Sequence, residues 1–77
     1  MNLSSFLKED EPTPMTAPDE FEKLRGQRAK RHKLTKEIWE FDQLHKDHYE
    51  VYHTVKDFEK GQRDRAVWMD GRLKEQF

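Results

Sequence analysis

Seventy-seven residues, 32% apolar and 40% charged, allow one small domain at most, with little material for a core. Cysteine is absent, which excludes a disulfide framework, a thiol nucleophile, a zinc knuckle and an iron–sulfur site. No apolar run approaches the ~20 residues of a membrane span, and the first residues lack the basic start and apolar core of a signal peptide. The expectation is therefore a soluble cytoplasmic or otherwise intracellular protein, or one held within a macromolecular particle, with no membrane partner.

The net charge of −1 conceals strong blocks. Residues 1–22 carry one Lys against six acids, whereas 23–36 carry seven Lys or Arg and no acid. Residues 37–59 return to two bases against seven acids, and 60–77 hold five bases and three acids. Segments of opposite sign within a Debye length, about 8–10 Å, can pair within the chain or with neighbouring molecules.

In chain order, Leu3, Phe6 and Leu7 form a short apolar edge, with Phe6 and Leu7 placed to anchor in a partner's groove. Residues 9–18, with Pro12, Pro14 and Pro18, read as an extended acidic arm, since proline disfavours helix before it and removes backbone donors. The division is an arm over 1–18 and a single small helical domain over 19–77. A short helix is expected near 18–25, with Pro18 in its first turn, Asp19 and Glu20 at the positive end of the dipole, and Gly26 ending it.

From Leu34 to Phe58 the apolar positions Leu34, Ile38, Phe41, Leu44, Val51, Tyr52, Val55 and Phe58 recur in steps of mainly three and four, with His45 and His48 filling the gap. On a helical wheel they fall within roughly 160°, so an amphipathic helix over about 35–60 is expected, capped by Thr35 and ended by Gly61. Ala66, Met69, Leu73 and Phe77 make a second stripe, giving a shorter helix over about 65–76. The fold class expected is all-α, either a helical hairpin broken at Gly61 or one continuous coiled coil.

No Gly-rich phosphate loop, nucleophile–base pair or buried carboxylate pair is visible, so no enzyme and no cofactor are expected. Asp42-x-x-His45 and Glu50-x-x-His53 have the spacing of carboxylate-bridged metal bundles, but without further carboxylates from other helices they read as packed imidazoles rather than a metal site. Trp39 and Trp68 fall off the apolar stripes and read as interface anchors. The function expected is a non-catalytic accessory or assembly subunit, a homo-oligomer or part of a larger assembly such as a virus-like particle. It would bind protein partners through the amphipathic helix and through Phe6, Leu7, Trp39, Phe41, Tyr49, Tyr52, Trp68 and Phe77. The alternative is a nucleic-acid-associated protein using 23–36, with Arg25, Arg28, Lys30, Arg31 and Lys33 on phosphates. On a helix those bases would point in all directions, which weighs against it. A third possibility is an inhibitor or regulator of a larger enzyme.

Overall fold

Strand pairing, not a three-and-four helical period, governs the centre of the chain. In the computed structural model, which describes residues 10–77, Ile38–Phe41 and His48–Tyr52 are adjacent antiparallel strands, β3 and β4. Both are rich in β-branched and aromatic side chains, which suit a pleated surface. The turn between them is set by Asp42, whose Oδ1 accepts the N–H groups of Leu44 (2.8 Å) and His45 (3.0 Å), while Lys46 takes a left-handed φ of 60°. This local bonding breaks any helix at Asp42.

Around that hairpin the chain forms a six-stranded antiparallel meander in the order β1-β2-β3-β4-β5-β6. The outer strands are β1 (Phe21–Lys23), β2 (Lys30–His32), β5 (Arg65–Trp68) and β6 (Leu73–Gln76). One α-helix occurs among the described residues, α1 (Val55–Lys60), joining β4 to β5. The Thr54 hydroxyl caps its start by accepting from the Asp57 N–H, and Gly61 at φ 72° closes its end.

The all-α expectation is thereby overturned, with both its forms, helical hairpin and coiled coil. The long helix over 35–60 is two strands, a turn and six residues of helix. The C-terminal helix over 65–76 is the hairpin β5–β6, and the helix near 18–25 is a 3-10 turn at Pro18–Glu20 running into β1. The physical reason lies in burial. Strands covered on only one face show alternation, but here Ile38 and Trp39, and likewise Val51 and Tyr52, are buried on opposite faces, so the alternation vanishes from the sequence.

On one face Phe21, Trp39, Tyr49, Val51 and Val67 form a cluster, with Phe41 and Met69 half-buried against it. Edge-to-face aromatic pairs run through it from Phe21 to Trp39 (5.4 Å between centroids) and on to Tyr49 (5.9 Å). The opposite face packs Ala29, Ile38 and Tyr52 with Leu24 and with Phe58 from α1.

The stretch before the 3-10 turn is bonded to the sheet. Glu11 N–H donates to the Gly71 carbonyl (2.9 Å), and the fully buried Thr13 hydroxyl donates to the Met69 carbonyl (3.0 Å). Gly71 sits at φ 105°, and a Cβ there would collide with the Glu11 carbonyl, so both the turn and the close approach require glycine. No helix among the described residues is long and apolar enough to cross a membrane.

Candidate functional site

Three groups of polar residues stand out on this scaffold. The first is the basic block, which the fold gathers into β1, β2 and their flanking turns. Lys23, Arg25, Arg28, Lys30, Lys33 and Lys36 are exposed, and among the described residues none lies within ion-pair distance of a carboxylate. Arg31 differs, with its Nε 2.7 Å from Glu22 Oε2, a hydrogen bond that holds the Glu22 carboxyl below its ordinary range. In the β1–β2 register Lys23 stands directly opposite Lys30, a like-charge pair that strand pairing alone disfavours.

The β2–β3 turn is organised by His32, a residue that periodicity did not single out. Its buried ring accepts from the N–H groups of Leu34 and Thr35 at Nδ1 (both 3.2 Å), so Nε2 carries the proton and points to Glu20 Oε1 at 3.0 Å. Phe21 packs edge-on against the ring at 5.0 Å.

The second group surrounds Arg65, which is buried on the Trp39 face. Its guanidinium bonds Glu11 with two nitrogens, Glu37 through Nη1 (2.9 Å) and Nη2 (3.0 Å), and Asp64 (2.6 Å). Burial by itself would raise the Glu37 carboxyl, but the bonds and charge of Arg65 outweigh it and hold the group below its ordinary value. The same carboxylates push Arg65 upward against its own desolvation, so the cation is permanent. With its donors spent on these acids, Arg65 is a clamp joining the N-terminal stretch, β3 and β5.

The third group lies where the β3–β4 hairpin closes. His48 is buried, with Nε2 2.6 Å from Glu50 Oε2 and 3.0 Å from Asp42 Oδ2, and Nδ1 2.7 Å from Asp47 Oδ1. His45, exposed on the turn, brings Nδ1 to 3.2 Å from the same Asp42 oxygen. Backbone and side-chain bonds from His45 hold the Asp42 carboxyl down to about 2. Glu50 gives its other oxygen to Arg63 Nη1 at 2.9 Å. His48 and Glu50 sit side by side because residues two apart on a strand share a face.

The residues read as partner anchors are dispersed. Trp39, Tyr49 and Tyr52 lie inside the two clusters, so they are not surface anchors: strand alternation turns them into the protein's own core. Burial, with Glu40 beside it, pushes the Tyr52 phenol up to about 12. Phe41 and Trp68 are half-buried, and Phe77 is 48% exposed with the Arg63 guanidinium 4.0 Å from its ring centroid. Phe6 and Leu7 lie outside the described residues. Arg25, Arg28, Lys30, Arg31 and Lys33 lie along β2 and the turns at its two ends, with Lys30 and Arg31 on opposite faces, so the helix on which they would radiate does not form. Sequence spacing paired Asp42 with His45 and set His48 beside His45, though on a helix, but missed Asp47 and Arg65, whose roles arise from burial and strand register. Comparison with known proteins found no matching family model, curated protein or solved structure.

Proposed function

We propose that the chain binds the sugar–phosphate backbone of a nucleic acid along the β1–β2 ribbon and its two turns. The observation that carries this reading is the exposure of six cations in one short ribbon without carboxylate partners among the described residues, with Lys23 set against Lys30. Such repulsion is relieved by a polyanion, and phosphates spaced along a strand match a row of cations better than a single small anion does. The described residues enclose no pocket, which suits a surface contact rather than a buried ligand.

The test is fluorescence anisotropy with a labelled oligonucleotide, single-stranded and duplex, over a range of salt. The affinity should fall steeply, with a log–log slope of about −0.7 to −0.9 for each phosphate neutralised. Replacing Arg28, Lys30 and Lys33 by Gln should flatten that slope by two or three such steps. Salt-independent binding, or a slope unchanged in the triple variant, would overturn the reading.

A second reading, an accessory subunit that binds another protein, has its own observation in favour. All four residues of the edge strand β6 are exposed, and it leads into Phe77. An edge of this kind offers backbone donors and acceptors to an extended peptide, with Phe77 as a side-chain contact. Self-pairing of β6 centred on Lys74 or Glu75 is disfavoured, because it sets like charges directly opposite each other. Amide exchange measured along β6 with and without a candidate partner peptide tests it: protection confined to this edge supports the reading, and its absence removes it.

A further inference from the structure

The geometry points to a binding site for a divalent transition-metal ion, Zn²⁺ in the first place, formed by Asp42, His45 and His48 at the closure of the β3–β4 hairpin. This inference is independent of the nucleic-acid reading, since none of the three belongs to the basic ribbon.

Three observations converge. The first is spacing. Ligands on a tetrahedral zinc with bonds of about 2.0–2.1 Å stand roughly 3.3 Å apart. His48 Nε2 and Asp42 Oδ2 are 3.0 Å apart, and Asp42 Oδ2 and His45 Nδ1 are 3.2 Å apart. The three ligand atoms of Asp42, His45 and His48 lie within 4.8 Å of one another. Glu50 Oε2, at 2.6 Å from His48 Nε2, lies beside these three ligand atoms rather than among them.

The second observation concerns valence. An imidazole nitrogen carries at most one hydrogen, yet His48 Nε2 faces two carboxylate oxygens at once, those of Asp42 and Glu50. A cation held between His48 Nε2 and Asp42 Oδ2 satisfies that acid and the nitrogen lone pair together, while Glu50 keeps its bond to Arg63.

The third is what lies behind the ligands. With Nε2 turned to the cation, Nδ1–H of His48 donates to Asp47 Oδ1 at 2.7 Å, the carboxylate–histidine–metal arrangement that fixes the tautomer and raises ligand basicity. Asp42 is oriented in the same way, because its Oδ1 is occupied by two backbone N–H groups and Oδ2 is left for the site. Arg63 engages the far oxygen of Glu50, leaving the near one directed at His48. Two imidazole nitrogens with one carboxylate select zinc-like ions over Mg²⁺ and Ca²⁺, which prefer oxygen alone. His45 is exposed on the turn, so the site has an approach from solvent.

Chelator-treated full-length chain titrated with Co²⁺ provides the test, because tetrahedral cobalt absorbs in the visible and is displaced by Zn²⁺. Trp68, whose ring is 6.2 Å from that of His48, adds a second signal through quenching by cobalt. The expected result is one equivalent of Co²⁺ bound, with displacement by Zn²⁺ and no competition from Mg²⁺. His48 is buried and its replacement risks the fold, so the deciding variant is His45→Ala, which should lose tenfold or more in affinity while keeping the native circular dichroism. Asp47→Asn should weaken binding by about 10–100-fold without removing a ligand. His53→Ala, which touches the separate Glu37–Asp64 group, should leave it unchanged. No visible absorption on titration, or absorption abolished by His53→Ala but not by His45→Ala, would overturn the proposal.

Discussion

Glu11 holds Arg65 across 54 positions of the chain, with Arg65 Nε 2.9 Å from Glu11 Oε2 and Nη2 bonded to Oε1. This bidentate pair ties the acidic N-terminal stretch to the fourth hairpin of a sheet in which most other contacts are between neighbouring strands. Breaking it from the acid side should be mild, because Glu37 and Asp64 still neutralise the guanidinium. Glu11→Ala is expected to cost about 1–3 kcal/mol and to speed hydrogen exchange at Glu11 and Gly71. Breaking it from the base side leaves three half-buried carboxylates together, so Arg65→Ala should cost about 3–5 kcal/mol in urea unfolding.

Stability should depend on pH through Glu37. Its carboxyl is held below the ordinary value near 4.5 in the folded chain, so the unfolded chain binds the proton first. The stabilisation is therefore complete above about 4.5 and is lost as pH falls through the lower folded value. Urea midpoints measured from neutral pH downward should drop in that acid window, and Glu37→Gln should flatten the drop.

Trp39 makes a second stability test. Its indole Nε1 is buried without a hydrogen-bond partner among the described residues, a donor desolvated for no return. Trp39→Phe removes that orphan along with some ring volume, and the two effects oppose each other, so the change should stay within about 1–2 kcal/mol. Trp39→Ala empties the centre of the aromatic cluster and should cost about 3–5 kcal/mol by thermal or urea unfolding.

Glycine substitutions should rank by what a Cβ would meet. Gly71→Ala faces both a left-handed φ of 105° and the Glu11 carbonyl, and should cost about 1–3 kcal/mol while releasing the Glu11–Thr16 stretch. Gly26 at φ 75° has open space, so Gly26→Ala should cost less, about 1 kcal/mol. Equal costs in unfolding experiments would show that the N-terminal stretch does not press on the turn.

Residues that act through local chemistry were legible before any fold was known. Gly61 ends a helix, though one of six residues, because its lack of a Cβ admits the left-handed cap in any context. The charge blocks, the missing thiol and the Asp42–His45 spacing are likewise properties of the chain itself. Secondary structure was not legible in the same way: with Ile38 and Trp39 buried on opposite faces, the stripe that spacing suggested belongs to neither face of a sheet. Only strand pairing decided that Trp39, Tyr49 and Tyr52 are core, that seven bases form one ribbon, and that His48 meets Asp42 across a closed hairpin. Each of these depends on which residues stand opposite one another, a long-range relation set by burial and register rather than by near neighbours.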